Sequence, residues 1–124
     1  MYLYTVACEF EKAEVAREWV DWLVREHLAE VCAAGALSAE IVRVDGSGIR
    51  YQVHYRFPDR AAFQRYEREH VPRLREEGLR LFPLDLGLRY GRSTGEIIAT
   101  HDATKRPTAL PWPACPARRR GAAN

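Results

Sequence analysis

The chain predicts an α+β domain of the ferredoxin-like kind, a βαββαβ order with an antiparallel sheet and two helices on one face. Three observations carry that expectation. Two segments, Tyr2 to Phe10 and Ile49 to Phe57, alternate apolar and other residues at the period of a strand. Each is followed by a stretch whose apolar residues recur at helical spacing. The two halves also repeat one another. Arg25-Glu26-His27 and Arg68-Glu69-His70 stand 43 residues apart, and so do Gly35 and Gly78, while Tyr4-Val6-Cys8-Phe10 and Tyr51-Val53-Tyr55-Phe57 stand 47 apart. The difference of four is about one helical turn, so an extra turn in the first helix keeps its sheet-facing side unchanged.

The elements follow in order. In the first strand Tyr2, Tyr4, Val6, Cys8 and Phe10 share one face. From Glu11 the period changes, and Ala16, Trp19, Val20, Leu23, His27 and Val31 form one helical stripe, with Gly35 as its C-cap. Leu37 to Val44 reads as a second strand, and Asp45-Gly46-Ser47-Gly48 as the hairpin turn after it. In the third strand Ile49, Tyr51, Val53, Tyr55 and Phe57 alternate with Arg50, Gln52, His54 and Arg56. Pro58-Asp59 starts a second helix with the stripe Phe63, Tyr66, His70 and Leu74. Pro72 lacks the N–H that the carbonyl of Arg68 would accept, which predicts a kink or break nearby. Leu84, Leu86, Leu88 and Tyr90, alternating with Asp85, Gly87 and Arg89, read as the fourth strand.

Composition bounds the rest. At 124 residues, 47% hydrophobic and 29% charged, the chain has the make-up of one globular domain. A net charge of +2 is too small to imply nucleic acid. There is no apolar run long enough to span a membrane and no secretory signal, so a cytoplasmic protein is expected. Cys8, Cys32 and Cys115 have neither the pairing nor the spacing of a disulfide or zinc framework, and no metal or cofactor is expected. The folded domain is placed at residues 1–92. Residues 93–124 form a Pro/Arg-rich extension: His101 to Asn124 hold four of the seven prolines and carry five cations against Asp102. Such a segment is expected to be flexible when alone. Pro111-Trp112-Pro113 offers a docking motif and Arg118-Arg119-Arg120 an anion-seeking one, and the alternative they support is an interaction module acting through this tail.

Trp19-Val20-Asp21-Trp22-Leu23, Glu26-His27-Leu28-Ala29-Glu30-Val31, Tyr51-Gln52-Val53-His54-Tyr55 and His70-Val71-Pro72-Arg73-Leu74-Arg75 together resemble an uncharacterised family of small bacterial domains of unknown function. The resemblance covers roughly residues 1–92. It departs at Ala29, where a proline is expected. The family looks like part of the dimeric α+β barrel superfamily, in which two ferredoxin-like sheets meet. That implies a homodimer, in a superfamily that includes cofactor-free monooxygenases, polyketide cyclases, isomerases and plain ligand binders.

The candidate site follows from strand parity. Tyr4, Val6, Tyr51, Val53, Tyr55, Leu86 and Leu88 are expected under the helices. The opposite face then carries Thr5, Ala7, Glu9, Gln52, His54, Arg56, Gly87 and Arg89. Capped by a second subunit, it would enclose a cavity with convergent polar groups, suited to a small aromatic or polyketide-like ligand. Thr5, Gln52, His54, Arg56 and Arg89 are the expected ligand contacts. His54 is the one candidate general base, with Arg56 or Gln52 to steady an oxyanion, should the protein be a cofactor-free enzyme. His27 and His70 are read mainly as structural histidines near helix ends, protonated or hydrogen-bonded there, and Trp19 and Trp22 as core or interface packing. The alternative reading is a merely solvated face, or a polar dimer interface holding a few waters.

Overall fold

In a computed structural model, residues 1–104 are described. Four strands, β1 (Tyr2–Phe10), β2 (Ser38–Arg43), β3 (Ile49–Phe57) and β4 (Leu88–Glu96), form one antiparallel sheet in the order β2-β3-β1-β4. The helices are α1 (Ala13–Trp22), α2 (Leu28–Ala33), α3 (Arg60–Glu69) and α4 (Val71–Leu81). This is the expected ferredoxin-like architecture. Tyr2, Tyr4, Cys8 and Phe10 of β1 and Val53, Tyr55 and Phe57 of β3 are buried beneath the helices, packed on Trp19, Leu23, Phe63 and Tyr66.

Local chemistry explains most boundaries. Asp59 sits in extended backbone before α3, and its Oδ1 accepts the Ala62 N–H at 2.8 Å, capping the helix. The break that Pro72 demands falls two residues upstream, at His70, whose φ of −123° separates α3 from α4. Pro72 then lies in the first turn of α4, where a missing N–H costs no helical bond. Gly35, just past α2, takes a φ of +132°, a conformation that suits glycine after a helix.

The structure corrects several expectations. Leu84–Leu86 is a 3-10 turn, not strand: Pro83 sets up an extended entry, and its carbonyl accepts the Leu86 N–H at 3.0 Å. Gly87 follows in a left-handed conformation, so β4 begins only at Leu88. Leu86, expected to be buried, is exposed. The strand then runs to Glu96, past residue 92, with Glu96 opposite Tyr2. Gly78 does not end a helix as Gly35 does. It lies inside α4, where an added Cβ would stand 3.6 Å from the Trp22 ring. The helices begin at Ala13 and Arg60, keeping the strand offset of 47.

Between α1 and α2 lies a feature the periodicity hides. Leu23–His27 is a π-helical turn, in which the Leu28 N–H reaches back five residues to the Leu23 carbonyl. In an α-helix, residues five apart point about 140° apart. Here the wider turn stacks the Trp22 and His27 rings, with centroids 4.5 Å apart and planes 24° from parallel.

Candidate functional site

A large cavity lies on the helix-covered side of the sheet, with a volume of about 390 Å³. That is the lower part of the range usual for small-molecule sites. Its floor is the middle of the sheet, where Val6 of β1 opposes Val53 of β3 and Arg92 of β4. Larger rings flank these small side chains, Tyr4 and Tyr55 toward one end and Tyr90 and Trp19 toward the other. The rings hold the layers apart, and the valines do not fill the gap. The helix wall carries Trp22, His27, Tyr66 and Leu74. Arg75, Leu79 and Leu84 line it as well and are exposed, marking the side that opens to solvent.

The lining is aromatic, with a few polar atoms. Trp19 Nε1 donates to the Tyr90 hydroxyl at 3.0 Å. Burial pushes the Tyr55 and Tyr66 phenols well above their ordinary range and Tyr90 to about 12, so all three remain protonated near neutrality. His27 departs from the expected protonated or hydrogen-bonded histidine. Among the described residues its Nδ1 is buried without a hydrogen-bond partner, as are Trp22 Nε1 and Glu30 Oε1. Desolvation pushes the His27 pKa down to about 4. The 3.9 Å separation between His27 Nδ1 and Glu30 Oε1 is therefore not an ion pair near neutral pH. Glu30 is shifted the other way, its carboxyl raised first by desolvation and then by the nearby Glu77 charge.

The expected ligand-binding residues belong to the other face of the sheet, although Arg89 also borders the large cavity. Across the sheet, Glu40, His54, Thr5 and Ser93 form one cross-strand row, and Val42, Gln52, Ala7 and Gly91 the next. His54 Nδ1 lies 3.3 Å from Glu40 Oε2, and its Nε2 lies 2.9 Å from Gln52 Oε1. Both ring nitrogens are thus engaged within the chain. Arg89 is tied to Glu9, Nη2 to Oε1 at 2.7 Å. A shallower hollow of about 350 Å³ on this face includes Gln52, Arg89 and Ala7 in its wall, whereas Thr5, His54 and Arg56 lie outside it. His70 borders neither hollow: it packs against Tyr66, and its Nδ1 lies 3.2 Å from Arg73 Nη2. Trp19 and Trp22 are buried as expected, and both border the large cavity.

Sequence reasoning missed three residues. Glu40 is legible only once β2 is in register with β3. Arg92 was within reach, because the parity of Leu88 and Tyr90 continued by two places puts it on the helix side. Arg75 lay within the Arg/Glu run from Arg65 to Glu77, which looks uniformly solvated. Among the described residues no group of three or more His, Cys, Asp or Glu is placed to hold a metal ion, and no helix is long and apolar enough to cross a membrane. Cys8 is buried, its thiol pushed up to about 12, and Cys32 is half-buried. Cys115, Pro111-Trp112-Pro113 and Arg118-Arg119-Arg120 lie outside the described residues.

Several solved structures share this fold. A dimeric ferredoxin-like protein from an uncultured marine organism superposes with a TM-score of 0.62 at 14% identity, covering 82% of this chain and 99% of its own. The heme-degrader MhuD from Mycobacterium tuberculosis, solved with two hemes bound in its active site, gives 0.63 at 18% identity, covering 82% and 100%. A putative antibiotic biosynthesis monooxygenase from Deinococcus radiodurans gives 0.60 at 14% identity, covering 82% and 97%. At such identities the likeness is one of fold. No curated protein matches the chain. The family model described as "Domain of unknown function (DUF4286)" matches residues 1–86, well over half the sequence, and the chain belongs to that family.

Proposed function

We propose that this protein binds a small molecule in the cavity between its sheet and helices, and pairs with a second copy through the open sheet face. The cavity carries the reading: about 390 Å³, walled by tyrosine and tryptophan rings and bordered by a histidine that burial holds neutral. The small residues Thr5, Ala7, Gly91 and Ser93 in the middle of the other face support the pairing, since a second sheet can approach closely there. The names of the fold relatives support both parts, one described as dimeric and another as holding heme in its active site. The catalytic alternative with His54 as base draws nothing from this cavity, because His54 lies across the sheet from it.

A titration of the full chain with phenylnaphthylamine, a neutral aromatic fluorophore, tests the binding. Saturable uptake at one site per chain is expected, weakened at least tenfold by Val6→Phe, which adds a ring at the cavity floor. Uptake that is absent, or indifferent to Val6→Phe, removes the cavity reading. Sedimentation velocity tests the pairing. A dimer at micromolar concentration is expected, and Thr5→Arg, which puts a bulky charge in the middle of the open face, is expected to weaken it about a hundredfold, or ~2.7 kcal/mol. A wild-type monomer at that concentration removes the pairing.

A further inference from the structure

Arg75 of α4 and Arg92 of β4 both line the large cavity and are both exposed, on its solvent-open side. Among the described residues neither guanidinium lies within salt-bridge distance of a carboxylate, although other arginines do: Arg25 with Asp21, Arg60 with Glu96, and Arg89 with Glu9. No Asp or Glu of the described residues lines the cavity either, and desolvation keeps its histidine uncharged. A third lining arginine, Arg89, is held by Glu9 at 2.7 Å, so the cavity presents two cations that no anion of the described residues balances.

Their placement is also specific. β4 is an edge strand, and a solvated arginine would sit most simply on its open face. Arg92 instead has the parity of Leu88 and Tyr90, and its guanidinium lies over the Tyr90 ring, 4.9 Å from the centroid. That contact holds the charge against the aromatic wall. Both arginine charges reach the same interior group, since each favours ionisation of the Tyr66 phenol against the larger effect of burial. They approach it from opposite layers, one from the helices and one from the sheet.

We infer that the cavity is built for a flat aromatic anion, its ring system among the tyrosines and tryptophans and its charged group held by Arg75 and Arg92. This deepens the ligand-binding reading above and rests on it. The class follows from the lining. Ring faces on several sides suit a planar body, and a guanidinium offers paired N–H donors to a carboxylate or a similar oxyanion. A neutral aromatic would fill the same space and leave both cations uncompensated.

Two fluorophores differing by one group test this: phenylnaphthylamine, and anilinonaphthalenesulfonate, the same skeleton with an added sulfonate. On the full chain the anionic probe is expected to bind at one site, at least tenfold more tightly than the neutral one. Arg75→Gln and Arg92→Gln are each expected to weaken the anionic probe about tenfold, the scale of one charge-assisted hydrogen bond, and to leave the neutral probe within about twofold. Arg68→Gln, an exposed arginine outside the cavity wall, is expected to change neither. Equal affinity for the two probes, equal loss of both in the arginine variants, or an equal effect from Arg68→Gln overturns the inference and leaves the ligand-binding reading standing. A chain that takes up neither probe overturns both.

Discussion

The two faces of the sheet are built from the same strands and do opposite things with their polar groups. On the open face, polar side chains find one another: His54 bridges Glu40 and Gln52, and Arg89 meets Glu9. On the covered side, buried polar atoms are left without hydrogen-bond partners among the described residues, including His27 Nδ1, Trp22 Nε1 and Glu30 Oε1. Satisfied groups at a surface need nothing more. Unsatisfied groups in the covered layer cost free energy. A histidine and an arginine on an open strand look more like chemistry than a histidine in an apolar helical stripe, yet the stripe is where the unmet hydrogen-bonding capacity lies.

The largest test of this contrast is Trp19→Ala. Trp19 is 2% exposed, packs edge-on to Phe10 with centroids 5.1 Å apart, and donates to Tyr90. Its loss is expected to cost about 3–5 kcal/mol in chemical denaturation. A cost below about 1 kcal/mol would mean that the covered face is not the core.

Next is the pH response of His27. With its pKa held at about 4 in the folded chain against an ordinary value near 6.5, the unfolded chain binds the extra proton between those values. Stability from this group is therefore complete above pH about 6.5 and declines as the pH falls toward 4, by on the order of 2–3 kcal/mol. Glu30, whose carboxyl is raised, works in the opposite sense, gaining stability as it protonates. His27→Phe keeps the stack on Trp22 and removes the titration. Its stability, measured between pH 4 and 7, is expected to lack the wild type's upward slope. Parallel curves would show that His27 is not held neutral.

The smallest effect is expected on the open face. His54→Ala removes two hydrogen bonds made near the surface and is expected to change monomer stability by less than about 1 kcal/mol, with phenylnaphthylamine affinity within about twofold. A tenfold loss of probe affinity would mean that the two faces are coupled.

Much of this was legible in the residues. The alternation of β1 and β3 assigned both faces, and the composition of the two halves set the element order. Leu84 and Leu86 misled because a 3-10 turn entered from Pro83 spaces its leucines as a strand would. The π-turn was invisible because a stripe of residues at intervals of three and four reads as an unbroken α-helix. The cavity could not be read at all. Parity says which side chains meet the helices, but not how far rings such as Tyr4, Tyr55 and Trp19 hold the layers apart. The pairing of His54 with Glu40 needed the register of β2 on β3, and no residue pattern in β2 specifies it.

The wide turn at Leu23–His27 amounts to one surplus residue absorbed without a loop. Deleting a single position there would let the helix tighten to its usual winding and swing everything upstream about its axis by roughly 100° relative to α2. Trp22 would leave the imidazole and the wall would present another side chain, with the order of strands untouched. Evolution can thus retune what this pocket accepts by a change in length that no comparison of loops would notice.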